Sequence, residues 1–280
     1  MLDSLNRGMD YFKALVSLNK LIKQTLDMIQ SKYEWWSRTE GRDHIFILPS
    51  ERGPSLLQVS EEVWPPTRKP SHLSRVNVVL RKSIFMVSVA QRGGPRGGSY
   101  ATTWFDSWKD IVVPSSKASY DSGFEGLIKG WEGEREYLIH FRGSIPGAEN
   151  GAPRGVRSVL AANLYEEEDI MFNTASNDGL TCDANCTRNV MRKAIFCLCP
   201  SCVEGCDARV FLAAMNGCIP VIIADDYEFP FENVLSYPEF TVKIAEERAE
   251  DVAELLRSIS NRRIHEKQQA LYDVVHRFLY

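Results

Sequence analysis

From residue 137 to residue 259 the chain alternates short apolar runs with amphipathic stretches, and this alternation restricts the fold more than any other feature. Residues 137–141, 169–172, 194–199, 219–224 and 240–244 read as strands. Helices fall between them: 154–164, one ending near Lys193, 208–216 and 249–259. Continuous apolar runs of this length suit strands buried on both faces, as in a parallel sheet. Strands alternating with helices of this size form crossover units and predict a parallel, Rossmann-like sheet. Pro200 stops one strand, and Gly217 reads as the cap of the helix over 208–216. A last helix over 261–279 carries Ile264, Leu271, Val274, Val275 and Phe278 on one face.

The first half is less regular. Residues 9–31 place Leu15, Leu18, Ile22, Leu26 and Ile29 at helical spacing. Strands are expected at 45–48, 83–90 and 111–113, and a proline-rich loop over 51–75. Residues 91–100 hold four glycines but lack the Gly-Lys-Ser/Thr ending of a phosphate-binding P-loop, so they read as a surface loop. The expected layout is an N-terminal lobe over 1–125, a Rossmann-like lobe over 126–260 and a C-terminal helix over 261–280. Two such lobes leave a cleft, and ligands of open parallel sheets bind at the carboxyl ends of the strands, where the strand order reverses.

Of the 280 residues, 44% are hydrophobic and 25% charged, and the net charge is −4. A nucleic-acid partner is not expected, because such proteins present a basic face. There is no apolar run long enough to span a bilayer and no signal-peptide core at the amino end. All seven cysteines lie between Cys182 and Cys218. Cys197, Cys199 and Cys202, with Cys182, Cys186 and Cys206, supply enough thiolates for a zinc site. The expectation sets Cys197 and Cys199 on opposite faces of a strand, which disfavours a shared metal; disulfides or buried thiols are the other readings. Asn185-Cys186-Thr187 is a glycosylation sequon, meaningful only for a chain that enters the secretory pathway.

Six segments, in order, resemble one family. Residues 36–46 (Trp-Ser-Arg-Thr-Glu-Gly-Arg-Asp-His-Ile-Phe) are similar to a "W-N-R-T-x-G-R-D-H-F-F" segment of exostosin-type glycosyltransferases. Ser83-Ile84-Phe85 with 109–114 resembles "S-I-F … K-D-I-V-I-P". His140-Phe141-Arg142-Gly143 resembles "F-F-R-G", and Gly155-Val156-Arg157 resembles a later "G-x-R". Residues 196–200 resemble "F-C-L-x-P", and 217–223 with 226–231 resemble "G-C-I-P-V-I-I … D-Y-E-L-P-F". The resemblance implies an α/β, GT-B fold: two Rossmann-like lobes with a cleft, the first lobe here reading as incomplete. It implies inverting transfer of a sugar from a nucleotide donor, usually a UDP-sugar, to a glycan acceptor. A Golgi setting and no metal cofactor are implied as well; the family's usual N-terminal membrane helix is not found in this sequence.

Inverting transfer needs a base for the acceptor hydroxyl and positive charge for the departing diphosphate. The resemblance puts Arg209, in the first turn of a helix, at the diphosphate, with Arg142 and Arg157 as further donor-binding residues. Glu228, after the strand at 219–224, is a donor-binding candidate. Glu51, at the carboxyl end of the strand at 45–48, is the candidate base, while Asp43 and His44 brace that strand. Two departures weaken the donor site. Where the family has a Glu three residues after the Arg, this chain has Leu212, which cannot accept a hydrogen bond. Where the family has "P-R-G", this chain has Pro200-Ser201-Cys202. Arg209 and residue 212 are expected on one helix face. These departures leave open a non-catalytic protein of the same fold that binds a glycan or a partner glycosyltransferase.

Overall fold

A computed structural model describes residues 11–48, 79–88, 90–91, 105–115, 129–143, 145, 155–174, 184–201, 207–225 and 227–279. The chain divides into two compact units, 1–113 and 114–280. The expected lobe boundary after residue 125, the loops over 51–75 and 92–100, and Glu51 lie outside the described residues.

The first unit builds a three-stranded parallel sheet, β1 (Ile45–Leu48), β2 (Ile84–Val87) and β3 (Ile111–Val112), in that order. Helix α1 (Tyr11–Lys32) supplies Leu26, flanked by Ile22 and Ile29, to a core with Phe85, Val87 and Val112. Residues 22, 26 and 29 share a helix face, so one stripe enters the core, while Leu21 and Met28 stay exposed outside it. The short helix α2 (Trp35–Thr39) ends in a left-handed turn at Glu40 and Gly41. A Cβ at Gly41 would stand 2.6 Å from the Trp36 ring, so only glycine admits that buried indole. Asp43 and His44 brace β1 as expected. The carboxylate meets His44 Nδ1 at 2.9 Å and accepts from Thr39, while the His44 carbonyl accepts the Ile84 amide. The buried Asp110 carboxylate accepts the amides of Phe85 and Asp106, both at 2.8 Å, tying β2 to the turn that enters β3.

The second unit is the regular one. Its strands are β4 (Tyr137–Gly143), β5 (Ile170–Thr174), β6 (Ala194–Pro200), β7 (Ile219–Ile223) and β8 (Val242–Lys243). All are parallel, in the order β8-β7-β6-β4-β5. Connecting helices are α3 (Val156–Leu164), α4 (Ala184–Arg192) and α5 (Asp207–Met215). Ile139, Phe196, Leu198, Val221, Leu160 and Leu256 fill the main core. Parallel strands covered on both faces need side chains of this kind in unbroken runs, which is how the sequence reads. Gly217, at φ 65°, ends α5, and the Cys218 amide reaches back to the Ala213 carbonyl at 3.0 Å.

The last third differs in detail from the sequence expectation. Phe240 ends a short helix, α6 (Tyr237–Phe240), instead of opening a strand, because Pro238 sits in that helix's first turn and presets its backbone. The strand that follows is only Val242–Lys243. The helix expected over 249–259 is a 3₁₀ turn, Glu246–Asp251, leading into α7 (Val252–Arg257). Helix α8 (Asn261–Val275) is capped by the Ser260 hydroxyl, which accepts the Arg263 amide. Lys267 of α8 donates to the carbonyls of Pro238 and Thr241 at 2.6 and 2.7 Å, fixing α6 against it.

Candidate active site

Strand β4 has β5 on one side and β6 on the other, so the order of the second sheet reverses between β4 and β6. Chains leaving these two strands turn in opposite directions and open a crevice at their carboxyl ends, Gly143 and Pro200. Helix α5 follows β6 and begins at Asp207, so its first unpaired amides face the same end of the sheet.

Arg209 crosses this end. Its guanidinium lies 5.1 Å over the Phe141 ring, which is stacked 4.8 Å from Phe172. A Cβ added to Gly143 would stand 3.0 Å from Arg209 Nη2 and 3.1 Å from the Phe141 ring. The aromatic face holds the cation from below, and the bare glycine leaves it room at the strand end.

Arg142 precedes Gly143 on β4, and its charge converges with that of Arg209 on His140. His140 lies in the middle of β4, with 2% of its surface exposed. Burial, then the positive charges of Arg209 and Arg142, push its imidazole down to about 4, against a favourable backbone contact at Met171. At neutral pH the histidine is therefore neutral, and the charge at this end belongs to the two arginines. His140 was not singled out in the sequence. Its signal is a polar residue in an apolar strand run, at a place where the resembling motif has phenylalanine.

Arg142 and Arg209 both stand at the carboxyl end of β4, Arg209 on the face of Phe141 and Gly143 and Arg142 on the alternate face, each near enough to bear on His140. Arg157 is half-buried in the first turn of α3, its Nε shielded from solvent. Glu228 is half-buried in the segment after β7, beside the buried Tyr227 and Phe229. Phe229 packs 5.4 Å from Tyr237, whose hydroxyl donates to the Pro230 carbonyl at 3.0 Å, so this segment is held by packing. Ser201 follows β6, its amide bonded to the Ile223 carbonyl at 2.8 Å; Cys202 is outside the described residues.

Two expectations need correction. Leu212 does not line the crevice beside Arg209. It packs on a small apolar cluster of Met191, Ala194, Cys197, Ala213 and Cys218. Residues three apart on a helix are separated by about 60° of rotation, enough here for one to meet the Phe141 ring and the other the cluster. Cys197 and Cys199 are two apart on one strand and so share a face, instead of pointing oppositely. Cys197 is bonded to Cys218, with Cα atoms 5.8 Å apart, which removes both sulfurs from any zinc set. Cys186 is also disulfide-bonded, whereas Cys199 is a buried free thiol pushed up to about 12 by burial. Among the described residues no group of three His, Cys, Asp or Glu side chains is gathered to hold a metal ion, and no helix is long and apolar enough to cross a membrane.

Open parallel α/β sheets of this class bind ligands in the crevice at a strand-order reversal. The chain belongs to the exostosin GT47 family: the family model "Exostosin GT47 domain" matches residues 1–259. Similar proteins include the "Probable arabinosyltransferase ARAD1" of Arabidopsis thaliana, 26% identical over 253 residues, 88% of this chain and 48% of that one. The "Probable beta-1,4-xylosyltransferase IRX10" of Arabidopsis thaliana is 24% identical over 257 residues, covering 90% and 56%. The "Probable glucuronosyltransferase GUT1" of Oryza sativa subsp. japonica is 25% identical over 259 residues, covering 90% and 55%. The chain thus spans about half the length of the curated relatives it matches. Among solved structures, TarM aligns with a TM-score of 0.43 at 8% identity, over 71% of this chain and 47% of TarM. The pneumococcal O-GlcNAc transferase GtfA, in complex with UDP and GlcNAc, aligns with a TM-score of 0.38 at 10% identity, over 75% and 52%.

Proposed function

We propose that this chain carries the donor-binding part of an inverting glycosyltransferase that moves a sugar from a nucleotide diphosphate, UDP first among them, to a glycan acceptor in the Golgi. The observation that carries the reading is the placement of Arg209 over Phe141 and against Gly143, at the reversal point between β4 and β6 and in the first turn of α5, with Arg142 at the same strand end. A donor diphosphate placed there meets the Arg209 guanidinium and the amino end of a helix, with the Arg142 charge at the same strand end. As the acceptor hydroxyl attacks the anomeric carbon, the bond to the diphosphate breaks and negative charge builds on the leaving oxygen. Arg209 and Arg142 stabilise that charge, and Gly143 leaves it room. Arg157 and Glu228 are proposed to hold the rest of the donor, and Glu51 to take the acceptor proton. No metal is assigned a step.

Calorimetric titration with UDP, GDP and ADP tests this reading. Saturable UDP binding that depends on Arg209 supports it, and no binding at millimolar concentration overturns it. The placement of Leu212 supports a second reading, a non-catalytic relative that binds glycan or a partner glycosyltransferase, because the carboxylate of the resembling motif is replaced by a side chain that packs on the apolar cluster. UDP binding without hydrolysis or transfer across a panel of UDP-sugars is the result that reading expects.

A further inference from the structure

We infer that Asn185 is a site of N-linked glycosylation. Asn185-Cys186-Thr187 is the one such sequon in the chain, and Asn185 is exposed in the first turn of α4. A sequon is read only in the secretory pathway, and an independent observation places the chain there. Cys197 and Cys218 are joined across neighbouring strands, and Cys186, the middle residue of the sequon itself, is also disulfide-bonded. Such bonds form and persist in oxidising compartments, the same compartments in which asparagine is glycosylated.

In the folded protein Asn185 lies within a helix, its side-chain oxygen accepting from Arg188, and Cys186 is tied by its disulfide. The transfer therefore precedes winding of α4 and closure of the Cys186 bond, on the emerging chain. The co-reactant is an oligosaccharide carried on a lipid diphosphate. Asn185 Nδ2 forms a bond to the anomeric carbon, the bond from that carbon to the lipid diphosphate breaks, and the diphosphate leaves with the electron pair. The amide proton passes to a base of the transferring enzyme. Helix α4 packs on β4 and β6 and returns antiparallel to the strands, so its first turn lies at the same end of the sheet as Gly143 and Pro200. The glycan stands at the rim of that end.

The test is expression of the whole chain behind a secretion signal in cultured eukaryotic cells, followed by gel mobility with and without peptide-N-glycosidase. One discrete form that collapses on digestion is expected. Asn185→Gln and Thr187→Ala should migrate at the collapsed position, and Thr187→Ser should keep the slower form. Mobility unchanged by the glycosidase, in a chain whose cysteines are shown by alkylation to be paired, overturns the proposal. A chain that stays fully reduced overturns it too, because its ground in the disulfides is then gone. Neither result bears on UDP titration, so this inference and the donor-site reading fail separately.

Discussion

Arg209 Nη2 lies 3.0 Å from the point where a Cβ on Gly143 would stand. The last residue of one strand thus sets the space for a cation from the helix after its neighbour. Gly143→Ala should force the guanidinium off the Phe141 ring at an overpacking cost of about 1 kcal/mol. UDP affinity should fall roughly fivefold, since about 1.4 kcal/mol is a factor of ten and about 1 kcal/mol a factor of five. Calorimetry checks it, and unchanged affinity would mean that Gly143 does not set the cation's position.

Arg209→Ala and Arg192→Ala should separate binding from folding. Arg192 Nε donates to Asn216 Oδ1 at 3.1 Å, at the amino ends of β6 and β7 and away from Gly143 and Pro200, so its loss should lower the melting temperature and spare UDP binding. Loss of Arg209 removes a charge-assisted hydrogen bond worth about 1.5 to 3 kcal/mol, so UDP binding should weaken roughly ten- to a hundred-fold. Equal effects of the two changes on affinity would remove Arg209 from the site.

Leu212→Glu should destabilise the protein. The new carboxylate would stand against Met191, Ala194, Ala213 and the disulfide with no partner among them. An unsatisfied polar group costs about 1 to 3 kcal/mol, which at roughly 2 to 4 °C per kcal/mol lowers the melting temperature by several degrees. A gain in UDP affinity without that drop would show that residue 212 reaches the donor after all.

His140 should make stability fall in acid. Its ordinary value of 6.5 drops to about 4 in the fold, so below pH 6.5 the unfolded chain takes up a proton that the folded chain refuses. Its contribution is complete above pH 6.5 and is lost progressively between 6.5 and 4, by roughly 2 to 3 kcal/mol. Denaturant unfolding at pH 7, 5.5 and 4.5 measures the slope. His140→Phe should flatten it, and an identical slope would assign the acid loss to other groups.

The sheet of the second unit was legible in the sequence because its central strands, β6 and β7, are buried on both faces and bounded by Pro200 and Gly217; β1 and the start of β4 fall where the apolar runs begin. Phe240 was misread because Phe-Thr-Val-Lys-Ile over 240–244 alternates apolar and polar residues as a strand does, and Pro238 winds the chain into a helical turn that ends on Phe240. Arg142 and Arg209 were visible through the resemblance, but their placement at one strand end depends on strand order, which no local pattern encodes. His140 escaped because a lone histidine in an apolar run is ordinary until its neighbours are known. Leu212 was placed on the ligand side by helical spacing alone, which gives a face but not what packs on it.

The Cys197–Cys218 bond has a silent neighbour. Cys199, two residues along the same strand, directs its sulfur to the Cys197 carbonyl at 3.5 Å. Scrambling of a disulfide requires a thiolate, and with its thiol held near 12, Cys199 supplies about one anion per hundred thousand molecules at pH 7. The pairing chosen when the sheet closes is therefore not undone by the buried thiol two residues along the same strand.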